Sequence, residues 1–419
     1  MNESQNLKTD VCIVGGGPCG MMLGVLLARA GVDVTVLEKY PDFFRDFRGD
    51  TVHPSTLELL YELGWLDEFL ALPHDQFQTA GANIGGESVE IADLTHLSTH
   101  CKFVALMPQW DFLNFLAQRG KRYPTFHLMM KTDGAGLIED AGRVTGVRAG
   151  TPNGAIEIAA KLVVGADGRH STIRDLAGFA VDDLGAPMDV LWMRIPKHPE
   201  DSTQQLGWVR TGHFVVLLNR GDYWQCAYLI AKGSFAQLQA EGIGALQRGL
   251  AETVPMLSDR VGTLDDWSKV AMLDVRVDRL ACWHRAGLLC IGDAAHAMSP
   301  IGGIGINLAI QDAVATANVL ATSLRDGATP SESDLQRIQD RRMFPTKVTQ
   351  AFQTFVQDRA IGPLLQGAPV TGPPLAARLI DEFPFLRRLP ARLIGIGVRP
   401  EHVHTPDAYP EPSRVNISR

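Results

Sequence analysis

An α/β fold with a parallel sheet at its centre is what this sequence predicts, and three observations predict it. Near the start, the buried run Val11–Val14 ends in Gly15-Gly16-Gly17-Pro18-Cys19-Gly20, and a second apolar run, Val34–Leu37, ends at Glu38. In the middle, Leu162-Val163-Val164 leads into Gly165-Ala166-Asp167-Gly168. Later, Leu288–Ile291 leads into Gly292-Asp293-Ala294-Ala295-His296, with Pro300 following. Each is a short apolar strand closed by a glycine-bearing turn, and α/β sheets bind ligands at such strand ends. Three turns of this kind suit one FAD, held at its pyrophosphate, its ribityl chain and its flavin ring by separate parts of the chain. A Rossmann-like FAD-binding domain is therefore expected.

Composition narrows the partners. The chain has 419 residues, 45% hydrophobic and 21% charged, the balance of a soluble globular protein. A net charge of -8 without a long basic block argues against nucleic acid and leaves small molecules. Cys12, Cys19, Cys101, Cys226, Cys282 and Cys290 form no CxxC pair and no zinc-ligand spacing. They read as reduced core thiols, which fits a cytoplasmic protein. The charge-free stretch Val11–Ala28 is broken by glycines and Pro18, so it reads as strand, turn and helix, and no membrane-spanning segment is expected.

The elements follow in order. Gly15 permits a tight turn, Gly17 lets the backbone approach a pyrophosphate, and Gly20 lets helix and strand pack closely. Pro18 and Cys19 open the helix, whose first amides and positive dipole end face the phosphates. Glu38, about twenty residues on, suits ribose hydroxyls, and Lys39 beside it joins the expected cofactor contacts. Ser55 is expected to cap a helix through Leu57, Leu60, Leu63 and Leu66, with Arg48, favoured over Arg45, reaching phosphate or ribityl oxygens just before it. A helix Trp110–Arg119 is followed by turn signals at Glu139–Arg143 and Pro152-Asn153-Gly154, so a β-meander replaces the usual crossover helix. Asp293 ends its strand with a carboxylate for sugar hydroxyls, and Pro300 stiffens the next turn. Gly302, Gly303 and Gly305 open a helix Ile306–Leu324, whose bare amides, Asn307 in its first turn, can face the pyrimidine edge of a flavin. His296 reads as locating the turn, with proton transfer as the other reading.

The three motifs and their spacing resemble the group A flavoprotein monooxygenases, the para-hydroxybenzoate hydroxylase-like family that includes ubiquinone-biosynthesis hydroxylases. The resemblance covers most of residues 8 to 330. It implies an FAD-binding domain of the glutathione reductase type. It places Gly15, Gly17, Gly20 and Glu38 at the ADP half, Arg48 and Gln109 at FAD, Asp167 near both FAD and the pyridine nucleotide, and Asp293 at a ribityl hydroxyl. It also implies reduction by NAD(P)H, reaction with O2 to a flavin C4a-hydroperoxide, and hydroxylation of an electron-rich aromatic. No second GxGxxG stands between a strand and a helix, so no separate nicotinamide domain is expected.

FAD-binding residues are expected at 1–75, 107–183 and 276–330. An inserted mixed-sheet substrate domain is expected at 76–106 and 184–275, and a helical C-terminal segment at 331–419, beginning with a charged helix Ser333–Arg342, that serves packing or a homodimer contact. Trp192, Trp224 and Gln225 are the candidate substrate contacts, beside Arg194. His213 or Tyr228 is the candidate substrate-activating group, and Pro300 the residue positioning the flavin face. The family's arginine and tyrosine clamp for a small benzoate has no counterpart, Trp224 standing near its tyrosine. A larger or less charged aromatic is expected, such as a quinolone, quinol or polycyclic phenol. Three rivals are a geranylgeranyl-reductase-type enzyme, a flavin halogenase, the latter for Trp192-Met193-Arg194-Ile195-Pro196, and a non-catalytic FAD protein, against which three intact cofactor motifs speak.

Overall fold

Val11, Cys12 and Ile13 are fully buried, as a central parallel strand requires. The strand Asn6–Val14 pairs in parallel with Val34–Glu38 on one side and Gly154–Gly165 on the other. Phe126–Met130 extends this eight-stranded sheet at one edge, and Leu288–Cys290 with His284–Arg285 extend it at the other. The computed structural model describes residues 6–44, 51–201 and 207–410. The glycine-loop helix, Pro18–Arg29, is buried from Cys19 to Ala28 and packs against Gly305–Arg325. That second helix, counted from Ile301, is long and apolar enough to cross a membrane, but 78% of its most apolar window is buried inside the protein.

The meander forms where the turn signals stand. Asp133–Asp140, Arg143–Thr151 and Gly154–Gly165 pair antiparallel in sequence. The first turn has positive φ at both Ala141 (46°) and Gly142 (81°), the geometry that matches strand twist in a tight hairpin.

A second, seven-stranded sheet runs in the order Ala271–Leu273, Met188–Pro196, Tyr223–Ala231, His213–Asn219, Gly207–Arg210, Thr79–Ile84, Glu87–Asp93. Alternation gives it two apolar faces. Leu191, Met193, Val215, Leu217, Trp224, Cys226 and Tyr228 form one core with Leu246 and Leu250 of the helix Ile243–Thr253. Val190, Trp192, Phe214, Val216, Ala227 and Leu229 form the other, which also holds Ile301. Val104–Leu106 lies instead in a small sheet with Thr51–Val52 and Asp75–Phe77.

Two helices differ from expectation. The one placed at Ser55–Leu66 is two, Pro54–Glu62 and Leu66–Leu70, parted where Gly64 takes φ +71°. His53, not Ser55, is its N-cap, because Pro54 holds the first helical position. The charged helix expected at Ser333–Arg342 runs on to Val356, started by a Ser331–Asp334 capping box. Beyond it, Leu375–Glu382 and Arg388–Gly395 lie along the outer strand Glu87–Asp93. The chain then returns across the first domain, where Asp407 pairs with Arg29 at 3.2 Å and Ala408 N donates to Arg29 O at 2.8 Å. The C-terminal segment thus packs on the outer strand of the seven-stranded sheet and on the end of the helix Pro18–Arg29.

Candidate active site

The three motifs meet because their strands are neighbours. Val14 pairs with Gly165, and Gly165 with Cys290, so all three turns leave the same edge of the parallel sheet. Gly15 has φ +112°, and a Cβ there would lie 2.3 Å from Ala166 O, so the first turn rests on the second motif. A Cβ on Gly20 would lie 2.0 Å from Gly15 O. Gly17 differs, since a Cβ there would meet nothing within 4 Å among the described residues. The helix that follows has no side-chain cap, leaving its first amides for a ligand at this open edge. Cys19 is buried, and burial, with Asp312 and Asp293, pushes its thiol pKa up. The Glu38 carboxylate accepts from Gly16 N at 3.2 Å and from Tyr40 N at 3.0 Å. Lys39 lies at the surface with Nζ 5.2 Å from the Tyr40 ring centre. Gln109 opens the helix Gln109–Gly120 and is half-buried. Arg45 and Arg48 lie outside the described residues.

At the third motif, Asp293 keeps 29% of its side chain exposed, with Arg169 Nη2 at 3.5 Å. Beneath it lies a buried ionic chain. Asp312 Oδ2 accepts from Gly292 N at 3.1 Å and meets His296 Nε2 at 2.5 Å, while Oδ1 accepts from Arg342 Nε at 2.8 Å. Arg342 continues to Glu401 at 3.4 Å. Burial opposes the charge on Asp312, but His296 and Arg342 outweigh it and hold the carboxyl below its ordinary range. His296 is 1% exposed, so it anchors this turn.

Asp167 is partly buried and bonded within its own loop. Its carboxylate accepts from Ser171 Oγ at 2.5 Å and Ile173 N at 3.1 Å, fixing the start of Thr172–Leu176, and burial raises its pKa. Its backbone lies against the first turn, with Asp167 Cα 2.8 Å from where a Gly15 Cβ would stand. Past Pro300, Gly302 and Gly303 have φ 74° and 63°, and the helix Gly305–Arg325 begins with no side-chain cap. Asn307 accepts from His53 N at 3.0 Å and Thr56 Oγ1 at 2.8 Å. Its side chain is a brace, leaving the main-chain amides of Gly305, Ile306 and Asn307 at the helix start.

His53 couples this brace to the C-terminal segment, its Nδ1 2.7 Å from Ile394 O. Burial lowers its pKa from 6.5 to about 4. A histidine held neutral in the fold contributes stability above pH 6.5, lost as pH falls toward 4, a difference of about 3 kcal/mol. Unfolding free energies at pH 7 and pH 4.5 are expected to show this loss, and His53→Gln to reduce it.

A family model described as an FAD binding domain matches residues 8–351. The chain belongs to this FAD-binding family. The 6-methylpretetramide 4-monooxygenase of Streptomyces rimosus is 33% identical over 392 residues, 92% of each chain. The para-nitrophenol 4-monooxygenase of Pseudomonas sp. is 27% identical over 346 residues, 80% of this chain and 83% of its own. Among solved structures, the p-nitrophenol 4-monooxygenase of Pseudomonas putida superposes with a TM-score of 0.73 at 22% identity, covering 91% of this chain and 93% of its own. The protein is an FAD-dependent aromatic monooxygenase of the group A type, with NAD(P)H as the family's usual reductant. The reductase and halogenase readings are not favoured.

The substrate half of this monooxygenase departs from the residue expectations. Trp192 and Gln225 stand on the sheet face that shares its core with Ile301, next to Pro300. Gln225 accepts from Arg220 Nε at 2.9 Å. His213, Trp224 and Tyr228 project to the opposite face. Trp224 is 2% exposed and donates to Asp201 at 2.8 Å. His213 and Tyr228 are hydrogen-bonded at 2.6 Å against Gly249 of the covering helix. The sheet's period of two puts these three on the face covered by the helix Ile243–Thr253, opposite Trp192 and Gln225. Tyr228→Phe is expected to keep wild-type turnover and lose about 1 kcal/mol of stability, measured by urea unfolding beside steady-state kinetics.

Sequence reasoning missed Asp312, Arg342, Glu401 and Arg169. One signal was available for Asp312, the lone charged residue inside the otherwise uncharged run Gly305–Leu320, which a buried helix retains only with a partner.

Proposed function

We propose that this monooxygenase hydroxylates a fused-ring phenol or quinol-type aromatic held between the inner face of the seven-stranded sheet and the flavin. The observation that carries this reading is that face itself. Val190, Phe214, Val216, Ala227 and Leu229 make it apolar, and the buried Nε1 of Trp192 on the same face has no hydrogen-bond partner among the described residues. A flat apolar ring with one oxygen acceptor suits such a surface. The relative at 33% identity is named for acting on 6-methylpretetramide, which supports a large aromatic.

The residues present fit FAD. The open edge at Gly17 and the uncapped amides from Cys19 onward suit the pyrophosphate, and Glu38 the adenosine ribose. Asp293 suits the ribityl chain. The turn at Pro300 and Gly303, with the amides of Gly305, Ile306 and Asn307, suits the ring and its negative charge when reduced. Bound there, the flavin supplies the oxygen-activating chemistry. The protein positions the aromatic ring by its apolar sheet face, excludes water, and offers the Trp192 indole N–H to the substrate oxygen. The six cysteines are all free thiols, five of them buried, which supports a reducing, cytoplasmic location.

The test is turnover of purified holoenzyme with NAD(P)H and 18O2 against a hydroxyanthrone, 1-naphthol and 4-hydroxybenzoate. One labelled oxygen in a fused-ring product is the expected result. Labelled product from 4-hydroxybenzoate alone would refute the size and polarity of the proposed substrate.

A further inference from the structure

The long helix Glu332–Val356, with the turn after it, presents its polar side to the core. Gln339, Arg342, Thr346, Gln350, Gln353 and Gln357 are all buried, while Phe344 and Phe355 are 56% and 63% exposed on the outside. Buried amides persist only where their bonds are met. Here each glutamine grips backbone or side-chain groups of the segment running from the substrate sheet to the flavin-side turn. Gln339 accepts from Trp283 N at 2.8 Å and donates to Ala281 O at 3.0 Å. Gln350 donates to Asp278 O at 2.7 Å and Ala297 O at 3.1 Å. Gln353 makes three contacts, accepting from Ser299 N at 3.2 Å and donating to Ser299 O and Ile301 O, both at 3.0 Å. Gln357 donates to Ser299 Oγ at 2.9 Å.

The three contacts of Gln353 bracket Pro300. A segment with proline at its centre lacks one N–H and has fewer ways to satisfy its own carbonyls. A primary amide, with one acceptor oxygen and two donor hydrogens, supplies what Ser299–Ile301 is short of. Glutamate cannot donate to the two carbonyls, and leucine meets none of the three groups.

We propose that Gln353, backed by Gln357, is a positioning residue for the monooxygenase reaction. It fixes the Ser299–Ile301 turn against the N-terminus of Gly305–Arg325, and so sets where the flavin ring rests relative to the substrate sheet. It touches neither flavin nor substrate. The inference concerns the flavin-side turn alone and stands whatever aromatic the enzyme hydroxylates.

Gln339 supplies the control, having the same chemistry on the same helix but gripping backbone far from Pro300 in sequence. Gln353→Leu and Gln339→Leu are compared with the wild-type full-length protein. Both are expected to lower the apoprotein melting temperature. Only Gln353→Leu is expected to shift the visible flavin absorption bands and the flavin midpoint potential, and to raise severalfold the share of NAD(P)H oxidised to peroxide. FAD titrated into apoprotein is expected to bind Gln339→Leu as it binds wild type. Equal changes of spectrum and potential in both variants would reduce Gln353 to a packing residue and overturn the proposal, as would a wild-type spectrum and potential in Gln353→Leu. Should Gln353→Leu fail to accumulate, Gln357→Met, which removes only the contact to Ser299 Oγ, is read by the same two measurements and decides in the same way.

Discussion

Gly20→Ala is expected to give a colourless protein of sharply reduced stability. The added Cβ would lie 2.0 Å from Gly15 O and 3.1 Å from Ile13 Cγ2. The nearer atom is backbone, so no rotamer change relieves the contact. The helix Pro18–Arg29 must move off the strand Asn6–Val14, which disturbs its buried seam with the long helix Gly305–Arg325. Overpacking of this kind costs about 3 kcal/mol. The displaced helix start also removes the amides proposed to hold the pyrophosphate. Gly17→Ala separates the two effects, because its Cβ meets no atom of the described residues within 4 Å. It is expected to melt near the wild-type temperature yet bind FAD at least about tenfold more weakly, a loss of about 1.4 kcal/mol. Thermal unfolding of apoprotein and fluorescence titration with FAD check both variants. Wild-type FAD affinity in Gly17→Ala would remove that edge from the cofactor site.

Asp312→Asn is the second large effect. The carboxylate is fully buried between His296, Arg342 and Gly292 N, and Arg342 is itself 1% exposed. An amide keeps the size and one acceptor but leaves the guanidinium with only Glu401 among its charged partners. Removing one member of such a buried pair costs about 3–5 kcal/mol, chiefly through the uncompensated charge that remains. The Gly292–Asp293 turn loses part of its anchor, so weaker FAD binding is expected alongside. Urea unfolding of apoprotein, with FAD titration at equal folded fraction, measures the two. A stability loss below about 1 kcal/mol would show the chain to be unimportant, as surface ion pairs are.

The FAD half was legible because its signals are local. A tight turn at Gly15 and a close approach at Gly20 are demands on backbone and Cβ that only glycine meets, and they fall within a few residues of one strand. Hairpin turns at Ala141-Gly142 and Pro152-Asn153 are local in the same sense. Asp167 shows the limit. Its motif is readable, but the direction of its carboxylate depends on Ser171 and Ile173 forming the next helix start. The ionic chain under Asp293 was out of reach, since Asp312, Arg342 and Glu401 are far apart in sequence and meet only when two long helices and the returning C-terminus pack together.

The sequence by itself determined the α/β class, the three-part cofactor motif and the apolar character of the inserted sheet, because short-range backbone demands and hydrophobic period are written residue by residue. Only the tertiary structure decided which face of that sheet a helix covers and which one lies toward Ile301. A period of two tells that Trp192 and Phe214 oppose Tyr228 and His213, but it carries no sign. The helix Ile243–Thr253 takes one face and Ile301 the other, and that choice arises from how distant elements pack.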